Sequence, residues 1–201
     1  MKSIQVFLLF FIFHVSLFAQ HFDAGFVGGI AATQVDGDGN AGYDKAGPIL
    51  GIWVGHRINT SFYARGELRY VQKGSFAKNV EEGISSSYYR MRLNYFELPL
   101  ILGYRLRSGF NPIVGLSAGY LAKAKEMNQY GSFPAEDIKK FNKFEFAYLL
   151  GLEYNRSERW AFYFVFTYSI LPIRDQPTNP TNRWDKGQYN NVLELVARYK
   201  L

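Results

Sequence analysis

The stretch WAFYFVFTYSI, residues 160–170, decides the fold class. Its large aromatic residues fall on even numbers from Trp160 to Tyr168, and smaller residues, Ala161 to Ser169 with Tyr163 among them, fall on odd numbers. A period of two predicts a β-strand, because successive side chains of a strand point to opposite faces. One face of this strand is broad and aromatic, so it must lie against either a protein core or lipid.

The composition favours many strands joined by tight turns. Aromatic residues make up 18% of the 201 residues, 19 residues are glycine, and no helical period is sustained. The chain has no cysteine, which excludes disulfides, zinc–thiolate sites and a thiol nucleophile. The net charge of +6 is modest and scattered along the chain, so we expect no nucleic-acid partner.

Eight strand-like segments follow the N-terminal region, and the connections between them alternate in length. The segments lie at about residues 23–34, 47–57, 61–73, 89–105, 111–124, 143–155, 159–170 and 190–201. Short turns are expected at 58–61, 107–111 and 155–158, and long loops at 35–46, 75–88, 125–142 and 171–189. An even strand number with short turns on one side and long loops on the other predicts an all-β, eight-stranded antiparallel up-and-down transmembrane β-barrel.

The position of the aromatic residues favours lipid over a soluble alternative. Alternation by itself also fits a soluble β-sandwich or a lipocalin-like barrel with one face in water. Aromatic residues near the ends of the apolar faces match the interfacial girdles of membrane barrels. These residues are Tyr104, Tyr120, Tyr154, Trp160, Tyr168 and Tyr199. We therefore predict that the even face of 160–170 lies against lipid and that Tyr163, Thr167 and Ser169 face inward.

The N-terminus has the pattern of a secretory signal peptide. Lys2 precedes an apolar run, Val6 to Phe13, and Leu17-Phe18-Ala19 precedes Gln20. The run is shorter than the ~20 residues of a spanning helix, which argues against a membrane anchor. We predict a signal peptide at 1–19, a barrel domain at 20–201 and a location in a bacterial outer membrane.

A change of phase marks the segment YYRMRLNYFELPLILGYRL, residues 88–106. Met91, Leu93 and Tyr95 place apolar side chains on odd numbers, whereas the apolar residues from Phe96 onward are even. One extra residue shifts the phase of a strand, so we predict a β-bulge near Tyr95–Phe96. Pro99 supports a local irregularity, because proline cannot donate to the ladder.

This segment also carries a family resemblance. NYFELPLILGYRL, residues 94–106, resembles the hallmark strand of the PorT-like outer-membrane β-barrel family, in which Glu97 and Pro99 match the motif. AQHFDAGFVGGIAAT, GPILGIWVG and PIVGLSAGYL are also similar to it. The resemblance implies an eight-stranded outer-membrane barrel. The founding member of that family assists type IX secretion, so the resemblance also implies a possible accessory role in export.

The charged residues predicted to face inward are the main candidate site. They are Arg65, Glu67, Arg69, Glu97, Arg105, Glu145, Glu153, Glu194 and Arg198. An eight-stranded barrel has just enough interior for side chains to fill it, and a buried charge needs a partner. Two interpretations stay open: salt bridges that fill the lumen of a structural or interaction protein, or a narrow-channel porin with these groups as its filter.

Other chemistry has weaker support in the sequence. The loop from Asp36 to Gly47 spaces its acidic residues like a calcium loop but lacks the bidentate carboxylate at its end, so we expect no metal and no cofactor. Ser117 is the inward serine on which a third, lipid-modifying enzyme hypothesis depends. We expect the bilayer as the main partner. The charged loops at 75–88 and 125–142 suggest lipopolysaccharide or envelope proteins as further partners.

Overall fold

The computed structural model of the chain describes residues 22–40, 42–81, 84–133, 140–175 and 187–201. The predicted signal peptide at 1–19 lies outside the described residues. Within the described residues, no helix is long and apolar enough to cross a membrane. The strands there are β1 (Phe22–Asp36), β2 (Lys45–Arg57), β3 (Phe62–Lys73), β4 (Phe76–Glu81), β5 (Ile84–Tyr104), β6 (Phe110–Asn128), β7 (Gly131–Ser132), β8 (Phe144–Asn155), β9 (Trp160–Ser169) and β10 (Tyr189–Lys200).

Eight of these strands close into an antiparallel barrel. The order around the ring is β5-β3-β2-β1-β10-β9-β8-β6, and pairing of β5 with β6 closes it. The first and last strands of the chain pair with each other, as in the register Gly25 to Lys200. β4 and β7 extend hairpins beyond the ring by pairing with β5 and β6. The predicted eight-stranded barrel is confirmed, whereas the predicted loop at 75–88 contains β4 and the start of β5.

Short turns join the strands at one end of the barrel, here called the short-turn end. Asn59 Oδ1 accepts hydrogen bonds from the backbone nitrogens of Ser61 and Phe62, each at 2.8 Å. Gly109 closes the next turn with φ of 82°, a conformation that suits glycine. Such side-chain acceptors satisfy the backbone groups that a tight turn leaves unpaired. The opposite end, which carries the long connections, is called the loop end.

The outer face is apolar over its whole circumference. Ile30, Leu50 and Leu116 are each more than 60% exposed, and exposed apolar side chains come from every strand of the ring. A surface of this extent in water would be an aggregation site, whereas lipid accepts it.

Two belts of aromatic residues bound the apolar face. The short-turn belt contains Phe62, Tyr104, Phe110, Tyr154, Trp160 and Tyr199, and the loop belt contains Tyr70, Phe96, Tyr120, Phe144, Tyr168 and Tyr189. Phe62 and Tyr70 lie at the two ends of β3's outer face. They are about 26 Å apart along the strand and about 20 Å in height at the usual tilt, close to the ~25 Å apolar band of outer-membrane barrels. All six predicted girdle residues belong to these belts.

The bulge that the sequence predicts in β5 lies instead in β6. Asn94 pairs with Lys123 and Tyr95 with Leu121, so the additional residue is Ala122 of β6. The burial pattern of β6 changes phase at the same place. Odd-numbered Leu121 is buried, and the next buried residue is even-numbered Glu126. The predicted position near Tyr95–Phe96 is therefore correct in height but wrong in strand.

From Met91 to Gly103, β5 itself keeps one phase, and its environment changes instead. Met91, Leu93, Tyr95 and Glu97 are all buried on odd numbers. Below the loop belt the outside of the strand faces lipid and is apolar, whereas above the belt the outside faces water and the apolar side chains point inward. Pro99 produces the expected local irregularity, although it lies in the ladder to β3 and not in the bulge. The ladder between β3 and β5 is interrupted between Arg69–Glu97 and Gly66–Leu100, where proline cannot donate.

Candidate functional site

Alternation along β3 builds one wall of the lumen from charged residues. Arg65, Glu67, Arg69 and Lys73 occupy odd positions of a strand whose odd side chains are buried. Carboxylates from three other strands meet them: Glu97 of β5, Glu145 and Glu153 of β8, and Glu194 of β10. We call these residues, together with Arg198 of β10, the lumen network.

Arg69 is the centre of the lumen network. Its Nη1 and Nη2 donate to the two carboxylate oxygens of Glu194 at 2.7 and 2.9 Å. Its Nε and Nη2 also donate to Oε2 of Glu97 at 3.2 and 3.0 Å. A guanidinium suits this role because its planar fork donates to two carboxylates at once. The Arg69 and Glu194 side chains have no solvent exposure.

The upper part of the network, toward the loop end, depends on Lys73. Its Nζ lies 2.5 Å from Oε1 of Glu97 and 3.0 Å from Oε2 of Glu145. The Ser169 hydroxyl donates to Glu145 at 2.6 Å. Glu97 therefore bridges Arg69 to Lys73, which makes the upper and central pairs one connected network.

The lower part, toward the short-turn end, is organised around Glu153. This carboxylate accepts from Arg65 Nη1, from the Tyr63 hydroxyl at 2.9 Å and from Arg198 Nη2 at 3.1 Å. Arg65 Nε also donates to Glu67 at 2.8 Å, and Glu67 accepts the Tyr163 hydroxyl at 2.9 and 3.0 Å. The hydroxyls of Tyr63 and Tyr163 thus supply hydrogen bonds to these two carboxylates in addition to those from the cations.

Carboxylates outnumber cations in the lumen network. Glu67, Glu97, Glu145, Glu153 and Glu194 face Arg65, Arg69, Lys73 and Arg198. Neutral donors make up the difference: the hydroxyls of Tyr163, Thr167 and Ser169 each bond to a network carboxylate. Buried charge is tolerated when every group has a hydrogen-bond partner, and such networks fix a single arrangement of the interior.

An apolar cap lies above the lumen network at the loop end. Its buried members are Val35, Met91, Leu93, Tyr95, Leu121 and Ile173. Arg174 covers this cap and pairs with Glu126 at 2.8 Å. The Tyr89 hydroxyl donates to the same carboxylate at 2.5 Å, and burial followed by this bond raises the pKa of Tyr89, so it stays a neutral donor. Apolar packing and an ion pair therefore close this end.

A cavity of about 560 Å³ opens at the short-turn end below Glu153. Trp53 and Tyr63 form part of its wall, and Arg65 and Arg198 reach it from the network. Nη2 of Arg65 and Nε of Arg198 are buried and have no hydrogen-bond partner among the residues that the structure describes. The lumen is thus filled in its centre and at the loop end, and hollow at the short-turn end.

The predicted and observed networks differ in two residues, Arg105 and Lys73. Arg105 follows the last residue of β5, is exposed, and forms no ion pair among the described residues; it lines the mouth of the cavity instead. Lys73 is a central member that the predicted set lacks. Its odd number, in phase with Arg65 and Arg69, was the available signal.

The structure assigns no metal site to the described part of the chain. No group of three or more potential ligands comes together there. Ser117 is buried in β6, and its hydroxyl has no hydrogen-bond partner among the described residues.

A closed antiparallel barrel with an apolar exterior, two aromatic belts and a charged interior defines an integral membrane β-barrel. Residues 18–175 match the model of the outer membrane protein beta-barrel domain. The chain belongs to this family and is a small outer-membrane β-barrel protein in contact with the lipid bilayer. No curated protein sequence matches the chain.

Solved structures of small outer-membrane proteins have the same fold. Ail, the attachment invasion locus protein of Yersinia pestis, is 16% identical with a TM-score of 0.52, covering 90% of this chain and 100% of Ail. Ail in complex with the heparin analogue sucrose octasulfate gives a TM-score of 0.50 at the same identity and coverage. Neisserial surface protein A is 16% identical with a TM-score of 0.50, covering 90% of this chain and 97% of that protein. At this identity the likeness establishes the fold alone.

Proposed function

We propose that this protein is a barrel with a closed lumen that acts through its surfaces, as a structural or interaction protein and an accessory in export. The observation that carries the proposal is the connected lumen network, in which Arg69 bridges Glu97 of β5 and Glu194 of β10 and Lys73 bridges Glu97 and Glu145 of β8. A filter for ions leaves exchangeable sites for the permeating species. Here the donors of Arg69 already bond to protein carboxylates, and an apolar cap lies above them.

Conductance separates this proposal from the narrow-channel porin. We expect purified protein in planar bilayers to show no stable conductance, because the central lumen holds paired side chains instead of water. Single-channel recording over a range of voltages measures this directly. A defined open level whose ion selectivity inverts in Arg69→Glu would establish the porin and end the closed-lumen proposal.

The narrower PorT-like assignment and the link to type IX secretion are part of the proposal. Support comes from Glu97 and Pro99, which match the motif: Glu97 belongs to the lumen network and accepts from Arg69, and Pro99 coincides with the interrupted β3–β5 ladder. Affinity purification from native membranes tests this role. Co-purification of export components supports it, and a partner-free barrel together with normal secretion in a deletion strain contradicts it.

The loop end is the proposed contact surface for lipopolysaccharide or an envelope protein. Lys78 and Lys140 are exposed there, whereas Lys139 and its acidic neighbours at 136 and 137 lie outside the described residues. Ail, whose fold is similar, has been crystallised with a polysulfated heparin analogue. For this chain we propose a ligand of the same broad class, an anionic glycan or glycolipid.

Signal-peptide cleavage after Ala19 also remains a proposal. β1 begins at Phe22, so a mature chain that starts at Gln20 would lead into the barrel without a long overhang. The mass of the protein isolated from outer membranes tests the position of the cut. The lipid-modifying enzyme hypothesis depends on Ser117, and labelling with a serine-reactive lipid analogue tests it.

A further inference from the structure

A second cavity, of about 240 Å³, lies on the outside of the barrel wall at the loop end. Its polar wall contains Lys45, Arg90 and Arg92, together with Asp44 and Gln72. It is several times larger than the ~30 Å³ that one water molecule occupies in the liquid. Three cations and one carboxylate line it, so its charge is positive.

Lys45 reaches this cavity by an unusual path. It occupies the first, inward-facing position of β2 and is 5% exposed, yet its Nζ lies 3.4 Å from Oε1 of Gln72, which belongs to the outer face of β3. The side chain passes Gly74, where a Cβ would lie 3.3 Å from Lys45 Cδ and 2.1 Å from the carbonyl oxygen of Met91. Gly74 has φ of 134° and no side chain, so the Lys45 side chain passes beside its backbone without a clash.

The three cations of this cavity are not paired with its one carboxylate, Asp44, in the described part of the chain. Lys45, Arg90 and Arg92 form no ion pair within the described parts of the chain. Burial, then the charges of Arg92 and Arg90, lower the pKa of Lys45 to about 8, so the site as it stands disfavours its ammonium. An anion in the cavity would remove that penalty. A buried lysine beside two arginines is the donor set that phosphate prefers.

The height of the cavity matches the headgroup region of the outer leaflet. Tyr70 and Phe96 of the loop belt pair with each other, and the next outward-facing pair is Gln72 with Asn94, of which Gln72 lines the cavity. At about 7 Å per pleat repeat, the cavity extends from Gln72, one repeat beyond the aromatic belt, to Arg92 and Arg90, about 13 and 20 Å beyond it along β5. Lipid phosphates occupy this level of a bilayer.

The neighbouring strand extends the positive surface. Lys123 and Lys125 of β6 are exposed and pair in register with Asn94 and Arg92 of β5. Like charges directly opposite on two strands are destabilising unless an anion lies between them. Arg92 and Lys125 are such a pair.

We propose that Lys45, Arg90 and Arg92 form a binding site for a phosphate monoester, of the kind that phosphorylated glycolipids present at the membrane surface. This inference deepens the loop-end contact proposed above and rests on it. The path of Lys45 carries the inference: the side chain starts at an inward-facing position of β2, yet its ammonium lies beside Gln72 of the outer face, in a cavity that Arg90 and Arg92 also line.

Native mass spectrometry of the full chain in a phosphate-free maltoside detergent tests the site. The probes are diphosphoryl lipid A and the same lipid with its phosphates removed. We expect wild type to retain the phosphorylated lipid, and Lys45→Gln and Arg92→Gln each to weaken retention about tenfold, as expected for a lost charge-assisted hydrogen bond. Arg107→Gln, an exposed cation at the short-turn end, is the matched control and should bind as wild type does.

The competing outcomes are distinguishable. Displacement of lipid A by inorganic phosphate at the same concentration would support the site and assign it to soluble phosphate esters. Equal retention of the dephosphorylated lipid, or unchanged binding in both variants, would overturn the proposal. Heat-modifiable migration in gels shows that each variant is folded, and exposed Arg92 can be replaced even if Lys45→Gln does not fold. A non-conducting wild type would leave the closed-lumen function intact in either case.

Discussion

Arg69→Ala should lower the free energy of unfolding by about 3–5 kcal/mol, the usual penalty for removing one partner of a buried ion pair. The substitution deprives Glu194 of both arginine hydrogen bonds and leaves it with the Thr167 hydroxyl. Glu97 loses Arg69 but keeps Lys73 at 2.5 Å. Most of the loss therefore falls on Glu194. Equilibrium unfolding in urea, with the barrel reconstituted in lipid vesicles, measures the change.

Arg105→Ala is the matched control for this experiment. Arg105 is an arginine of the same barrel, but it is exposed and takes no part in the network. Its removal should change the free energy of unfolding by less than about 0.5 kcal/mol, as for most surface substitutions. Equal effects of the two substitutions would mean that water fills the lumen and screens the network.

A double variant distinguishes lost pairing from lost packing. In Arg69→Met with Glu194→Gln, the unpaired carboxylate is gone and methionine fills much of the arginine's volume. Replacing both members of a buried pair by neutral groups is often close to neutral in stability. We expect the double variant to recover most of the loss caused by Arg69→Ala. A loss as large as that of Arg69→Ala would indicate that the arginine's shape, and not its charge, supports the lumen.

Alternation in the sequence determines which side chains enter the lumen, but not which of them meet. Arg69 and Glu194 are 125 positions apart in the chain, and their contact depends on how the strands are staggered around the ring. That stagger is a property of the closed barrel and has no local signal. The alternation predicts Arg105 as a member of the network because its number is in phase, yet β5 ends at Tyr104, and beyond that residue the alternation no longer applies.

The apolar pattern of β5 shows a second limit of what alternation in the sequence can predict. Met91 and Leu98 have opposite phases in the sequence, and each is placed where its surroundings require: Met91 in the apolar cap, Leu98 half exposed on the outer face. A change of surroundings along one straight strand produces the same pattern as a bulge. The actual extra residue, Ala122, lies in a run of small and basic residues in β6 that has no clear apolar phase to disturb.

Phe164→Arg should impair insertion by about 2–4 kcal/mol, the penalty for an arginine on the lipid face near the bilayer midplane. Phe164 is 52% exposed on the outer face, midway along β9 between Trp160 of the short-turn belt and Tyr168 of the loop belt. Its partners in the adjacent strands are Leu152 and Leu195, both more than half exposed. An arginine here is too far from either belt to reach water without distorting the bilayer.

The control places the same residue outside the membrane. Ser108→Arg adds an arginine to the exposed turn between β5 and β6, where it meets water and should leave insertion unchanged. The fraction of barrel that becomes heat-modifiable on dilution from urea into lipid vesicles measures insertion for both variants. Equal insertion of the two would mean that the aromatic face of β9 does not lie against lipid. A deficit confined to Phe164→Arg, reduced when the arginine is moved to position 160 at the belt, would locate the midplane at Phe164, because the cost of a lipid-facing cation falls toward the interface.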